Sequence, residues 1–209
     1  MRSLVLKMSG YVEASVESAV QALNEKNSSK FELVFEYEKK INECQIEVDQ
    51  LCLHILGTQN PLAKDLRLIL AIIKINTDLE RMGDQAKNIA HHGKSYLEHS
   101  SQLALTPDLK HMAGIAREMI RDAMIAFTKR NEELAKEVLL KDDSVDELKR
   151  KINKSMIEIM KSKPGAVEGA IAQMSISRNI ERLADHATNI CEDVVFLRTG
   201  EDIRHSHQG

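Results

Sequence analysis

The segment Asp78-Leu79-Glu80-Arg81-Met82-Gly83-Asp84-Gln85-Ala86-Lys87-Asn88-Ile89 returns 101 positions later as Asn179-Ile180-Glu181-Arg182-Leu183-Ala184-Asp185-His186-Ala187-Thr188-Asn189-Ile190. A spacing close to half of the 209 residues means that one structural unit is used twice. The chain therefore has to fold into two similar halves, and whatever Glu-Arg-x-x-Asp-x-x-x-Asn does in one half it is placed to do in the other.

The material of each half is helical. Only 9 glycines and 3 prolines interrupt the chain, aromatics make up 3%, and Leu, Ile, Ala, Glu and Lys dominate, a balance that favours long helices over sheets. The few breakers mark helix ends. Ser29-Lys30-Phe31-Glu32 has the form of a capping box, while Asn60-Pro61 and Thr106-Pro107 each put a capping residue before a proline suited to the first helical position. Gly57 is placed to end a helix in a left-handed cap, and Lys163-Pro164-Gly165 makes the equivalent break in the second half. This punctuation predicts six helices, over 3-26, 29-56, 61-98, 107-130, 132-162 and 165-198. The second carries Ile41, Cys44, Val48, Leu51 and Ile55, and its counterpart carries Val145, Leu148, Ile152, Ser155 and Ile159, a heptad-like seam repeated at an offset of 104. About three residues are thus lost at and after the turn between second and third helices. The expected fold is all-α: two tandem, pseudo-symmetric antiparallel three-helix bundles over 1-98 and 107-198. His99 to Leu105 is the expected linker, and the residues after Thr199 read as a polar, frayed tail.

Composition removes several classes of function. With 43% apolar and 29% charged residues the chain reads as a globular protein, and a net charge of −3 without a cluster of Lys and Arg lacks the footprint of a nucleic-acid binder. The longest apolar run, Leu68 to Ile73, ends at Lys74, far short of the ~20 residues that span a bilayer. No signal peptide opens the chain. The expectation is a cytoplasmic protein that meets a membrane only through a partner. Cys44, Cys52 and Cys191 lack metal-type spacing and read as core thiols of a reducing compartment. Met119, Met124, Met156, Met160 and Met174 read as flexible core filling. The sequence has no Gly-rich nucleotide loop and no serine or cysteine nucleophile motif.

The repeated polar motif remains. On the third helix Ile72, Ile75, Leu79, Met82, Ala86 and Ile89 form one stripe, which leaves Glu80 and Asp84 about 150° from its centre, pointing away from the core. In the second copy Ile176, Ile180, Leu183, Ala187 and Ile190 face inward, and Glu181 and Asp185 share the outer face. A single pair of carboxylates at i and i+4 means little: the repulsion is only ~0.2–0.5 kcal/mol when solvated, and Arg81 can pair with Asp84 at i+3. The second helix of each half adds Glu38 with Asn42, and Asp142 with Asp146, at equivalent positions on the flank of the seam. Packed beside the third helix, these bring two oxygen-bearing pairs together in each half. A solvated, salt-bridged face and a site for an oxygen-coordinated cation are both open readings. The charge count favours a cation in the second half, because Asn42 replaces a carboxylate in the first. His91, His92 and His186 read as modulated salt-bridge partners rather than ligands.

The segments Leu79-Glu80-Arg81-Met82-Gly83-Asp84 and Ile180-Glu181-Arg182-Leu183-Ala184-Asp185 resemble the PhoU family of phosphate-specific transport system accessory proteins, as do Pro61-Leu62-Ala63-Lys64-Asp65-Leu66-Arg67 and Lys7-Met8-Ser9-Gly10-Tyr11-Val12-Glu13. The similarity extends over nearly the whole chain, although this chain opens closer to its first helix than many members of that family. The resemblance implies two PhoU-type bundles and a non-enzymatic regulator of bacterial phosphate homeostasis. Such a protein connects the ATPase subunit of a phosphate ABC importer with a membrane sensor histidine kinase, and holds the starvation response off when phosphate is plentiful. The expected assembly is a homo-oligomer, a homodimer in the simplest case. The resemblance further implies iron, or another divalent or trivalent metal cluster, at the acidic pairs. These map onto Glu80 and Asp84, Asp142 and Asp146, and Glu181 and Asp185, with Glu38 a partial match and Arg81, Arg182, Asn88 and Asn189 completing the motif. The competing reading is a metal-dependent helical-bundle hydrolase or oxidase using the same carboxylates. A di-iron carboxylate enzyme wants Glu-x-x-His on two helices, and neither copy supplies histidine at i+3.

Overall fold

Strong helix formers separated by few breakers give six long helices: α1 (Arg2–Glu25), α2 (Lys30–Thr58), α3 (Ala63–Glu98), α4 (Pro107–Lys129), α5 (Glu132–Ser162) and α6 (Val167–Thr199), with a 3₁₀ turn at Pro164–Ala166 leading into α6. The computed structural model describes residues 1–101 and 103–200, and no strand occurs among them. Gln102 of the expected linker and residues 201–209 of the expected tail lie outside the described residues. Each helix boundary falls within two residues of the sequence expectation.

The caps differ from that expectation more than the helices do. Gly57 stays helical inside α2, and Asn60 takes the positive φ of 42° after it. Asn60 is therefore no helix cap; α3 begins at Ala63 with Leu62 preceding it. Ser29 makes no capping bond to the backbone of α2: its hydroxyl donates to Asn27 Oδ1 at 2.7 Å, and Glu32 reaches Lys94 instead. The left-handed caps of the first and fourth helices fall on Lys26 and Arg130, each with φ 51°. These positions correspond at the 104 offset, and the same two bonds over-determine both: the N–H of Lys26 and of Asn27 donate to Ala22 O, and those of Arg130 and Asn131 to Ala126 O. The bonds hold a conformation that costs a residue with a Cβ about 1–2 kcal/mol. Neither cap is a glycine, so no sequence signal announced them. Asn131 adds a true side-chain cap, accepting from the N–H of Leu134 at 3.1 Å.

The predicted stripes form the core. Ile72, Ile75, Leu79, Met82, Ala86 and Ile89 are fully buried, as are Ile176, Leu183, Ala187 and Ile190, with Ile180 nearly so. In the α2 seam the inward residue near the end is Cys52 rather than Leu51, and in α5 it is Met156 rather than Ser155. Each half packs its three helices side by side, and the most extensive packing in the molecule joins α3 to α6, the two motif helices. One hydrophobic cluster runs through all six helices. Cys44, Cys52 and Cys191 are free and buried within it, and Met119, Met124 and Met156 fill it.

Polar ties fix the register of the central pair. Lys74 Nζ lies 3.1 Å from Asp193 Oδ1, a carboxylate that is almost fully buried. Asp78 Oδ1 meets His186 Nδ1 at 2.9 Å and accepts from the amide of Asn189 at 3.1 Å. Because Asp193 is nearly buried while Lys74 keeps about a third of its side chain in water, the pair resists slip by tying a desolvated carboxylate to its lysine. The fully buried Gln173 pins the connection between halves, accepting from Thr106 N and donating to Ala104 O at 3.0 Å each.

Two glycines make opposite predictions. A Cβ on Gly93 would stand 2.3 Å from Cζ of the fully buried Phe31 ring, whereas a Cβ on Gly114 meets nothing within 4 Å. Gly93→Ala is expected to lose about 1–3 kcal/mol to overpacking despite its better helix propensity. Gly114→Ala is expected to gain about 0.5–1 kcal/mol from propensity alone. Urea unfolding of the two variants checks both signs.

Candidate functional site

The carboxylates singled out by the repeat sit in grooves between helices. Packing α2 against α3, and α5 against α6, leaves the flank of each motif helix beside its neighbour rather than facing open water. Side-chain exposure is 18% for Glu80, 12% for Glu38 and 17% for Glu181. This corrects the expectation of an outward face for Glu80 and Glu181, since a direction far from the apolar stripe on one helix still meets the shoulder of the next, whereas Asp185 is exposed as expected.

In the first half, Arg81 reaches both motif acids, with Nε 3.5 Å from Glu80 and a terminal nitrogen 3.6 Å from Asp84. Lys87 Nζ lies 2.7 Å from Glu38, which also accepts from the amide of Asn42 at 3.2 Å. The Glu80 carboxyl is raised above its ordinary range, first by burial and then by the charge of Asp84, against which Arg81 pulls down; Glu38 adds to the rise and His186 opposes it. The first-half residues therefore share one electrostatic neighbourhood. The carbonyl oxygen of Asn42 is buried there without a hydrogen-bond partner.

The second half carries more uncompensated charge. Asp142 is pushed up from its ordinary 3.8 to about 6, by burial first and then by Asp185, Asp146, Asp143 and Glu181, all of them acids. Asp185 is raised as well, by burial and then by Glu181 and Asp146, with His186 and Lys149 opposing. Asp185 itself remains exposed. The close cation is Lys149, 2.6 Å from Glu181. Asp142, Asp146, Glu181 and Asp185 thus face one lysine, while Glu38, Glu80 and Asp84 face Arg81 and Lys87.

As a donor set for a metal, the second-half cluster fits by chemistry: oxygen ligands only, partly desolvated, with negative charge in excess. The orphaned Asn42 oxygen gives the first half a matching donor. Neither cluster is a closed cage, since no three His, Cys, Asp or Glu side chains among the described residues are gathered tightly enough to enclose an ion. Side-chain rotation has to complete either site.

The other motif residues divide. Asn189 joins the Asp78–His186 tie, whereas Asn88 and Arg182 are exposed and make no side-chain hydrogen bond or ion pair among the described residues. His186 sits against an acid, as expected, with Nδ1 on Asp78. His91 packs on the Phe35 ring at 5.0 Å, and the His92 pKa is lowered by burial and then by Arg178. Sequence reasoning missed Lys87 and Lys149. Each stands three residues beyond a motif acid, Asp84 and Asp146, which is the signal that marks them.

A PhoU domain is matched twice along the chain, by residues 5–92 and 109–194. The chain is 35% identical over 205 residues to the phosphate-specific transport system accessory protein PhoU homolog of Pseudomonas putida, covering 98% of this chain and 80% of that one. It is 32% identical over 209 residues to PhoU homolog 1 of Thermotoga maritima, covering 100% and 90%. The crystal structure of PhoU from Pseudomonas aeruginosa superposes with a TM-score of 0.93 at 32% identity over 96% of each chain. That of the phosphate transport system regulatory protein PhoU from Streptococcus pneumoniae superposes with a TM-score of 0.87 at 29% identity over 96% and 94%.

The raised Asp142 has a pH signature. The unfolded chain loses this proton near 3.8 and the folded chain near 6, so the folded state binds more protons between these values and stability falls as pH rises through the window. Two pKa units correspond to ~3 kcal/mol, which partial exposure reduces to about 1–2 kcal/mol. In chelator, Asp142→Asn is expected to stabilise the protein by that amount at pH 7.5 and to match wild type below pH 4. Urea melts of both proteins at the two pH values isolate the group, and equal stability at pH 7.5 contradicts the assignment.

Proposed function

The chain belongs to the PhoU family, and on that premise we propose that it regulates bacterial phosphate uptake and phosphate-starvation signalling as a non-enzymatic adaptor in the cytoplasm. The observation that carries this reading is the end-to-end match to phosphate-specific transport system accessory proteins, over both halves of the duplication. In finer detail, the adaptor contacts the ATPase subunit of the phosphate importer and a sensor histidine kinase, and represses the response when phosphate is plentiful. No helix among the described residues is long and apolar enough to cross a membrane, and a docking role at a membrane complex is consistent with that. Leu66 and Leu70 on α3, Leu62 just before it and Leu53 on α2 are exposed, and apolar surface of this kind serves protein contacts, self-association included. The hydrolase or oxidase alternative has no specific feature in its favour: the carboxylates stay partly open to water, whereas acid–base catalysis wants them in a pocket.

Deletion of the gene is expected to raise expression of phosphate-scavenging genes in phosphate-rich medium. Unchanged reporter output together with unchanged phosphate uptake overturns the regulatory reading. Co-purification of the transporter ATPase and the sensor kinase tests the adaptor detail.

Metal binding is part of the proposal. Asp142, Asp146, Glu181 and Asp185 would hold a divalent or trivalent ion, iron among the candidates, and Glu38, Asn42, Glu80 and Asp84 a weaker one. A bound cation supplies the positive charge that relieves carboxylate repulsion, and so ties α5 to α6. The pair Glu181→Gln and Asp185→Asn is expected to lower metal content after reconstitution with iron, manganese or zinc while circular dichroism stays unchanged, since i,i+4 repulsion is removed. Elemental analysis decides; metal confined to the first half, or none at all, leaves these faces as hydrated surface.

A further inference from the structure

Residues far apart in the sequence are brought together by the fold into a basic cavity. The first turns of α3, the end of α4 and the end of α6 enclose a hollow of about 360 Å³ lined by Lys64, Arg67, Arg130 and Arg198, with Asp65 the acid on its wall. In a chain whose net charge is −3 this is a local excess of cations. Among the described residues none of the four makes an ion pair. Arg130 and Arg198 are accounted for in part by helix ends: each stands at a C-terminus, where a cation complements the macrodipole. Lys64 and Arg67 are not. They occupy the first turns of the 36-residue α3, the end where the helix dipole already favours negative charge.

Arg67 is held in place. Its guanidinium lies 5.8 Å from the Phe196 ring centroid, and a Cβ on Gly200 would come within 3.0 Å of it. Gly200, with φ 81°, lets the end of α6 fold close over the guanidinium. A fixed planar fork beside three more mobile cations is the donor set that a tetrahedral oxyanion takes, with Arg supplying paired donors and Lys a point charge.

We propose that this cavity binds a phosphoryl group, as inorganic phosphate or on a small phosphorylated compound such as a nucleotide. The ligand adds negative charge at the start of α3 and joins the start of that helix to the ends of α4 and α6. The proposal rests on neither the regulatory reading nor the metal reading, and it is read out by binding alone.

Isothermal titration of the full chain with inorganic phosphate, and separately with ADP, at fixed ionic strength and in chelator tests it. The probing variant is Lys64→Gln with Arg130→Gln: both residues are exposed, and Arg67 is kept because it packs on Phe196. Saturable binding by the wild type is expected, weakened about tenfold or more in the variant, as loss of charge-assisted bonds requires. Glu181→Gln with Asp185→Asn is expected to bind as wild type does. Binding of ADP in preference to phosphate, lost in the same variant, supports the site and places the phosphoryl group on a nucleotide. No saturable binding of either probe at millimolar concentration overturns the proposal. So does binding that is indifferent to Lys64 and Arg130 in a variant whose circular dichroism shows it folded.

Discussion

The pairing of α3 with α6 sets the position of everything else, and it is held by two kinds of contact that fail differently. Apolar stripes supply the bulk of the attraction, with each buried aliphatic side chain contributing about 1.5–3 kcal/mol, yet such stripes tolerate sliding. The Lys74–Asp193 and Asp78–His186 pairs do not. A shift of one turn would leave the nearly buried Asp193 without its lysine. Because Glu80 and Asp84, and Glu181 and Asp185, lie on these two helices, the register of the central pair also fixes where the acidic grooves stand.

The grooves themselves follow from packing helices at near-parallel angles. A helix bundled on both flanks has little fully solvated face, so polar residues far from the apolar stripe end up between shoulders. Lost water and crowded carboxylates together raise Glu80, Asp142 and Asp185, and Lys87 and Lys149 each sit on a neighbouring acid. The two halves answer the same problem unequally. Two cations beside three acids nearly balance the first groove, whereas one lysine beside four acids leaves the second in deficit.

The fold was readable because its signals are periodic and repeated: the stripe from Ile72 to Ile89 and that from Ile176 to Ile190 state the same face twice. Local punctuation read less well. A capping box at Ser29 and a glycine at Gly57 are propensities, and each lost to a specific bond nearby, Ser29 to Asn27 and the α2 terminus to the residues beyond it. The left-handed turns at Lys26 and Arg130 carry no residue that needs such a turn; the Ala22 and Ala126 carbonyls impose it. The acids of the site were legible, since the duplication marks them. Their exposure was not, because one helix's wheel says nothing about its neighbour. The basic cavity was invisible for a related reason: Lys64 and Arg67 are far in sequence from Arg130 and Arg198, and only the tertiary fold makes them one patch.

Distance decides how the cavity and the grooves can influence each other. Thirteen residues separate Arg67 from Glu80 on α3, and thirteen separate Asp185 from Arg198 on α6. At 1.5 Å per residue each interval is about 20 Å. The Debye length at physiological salt is about 8 Å, so a cation in a groove and an anion in the cavity scarcely feel each other through water. Any coupling between them therefore has to run through the packed helices α3 and α6 rather than through water. The half-buried Lys74–Asp193 pair lies on both helices between the cavity and the Asp78–His186 tie. Sliding of one helix along the other has to break this pair and the Asp78–His186 tie together.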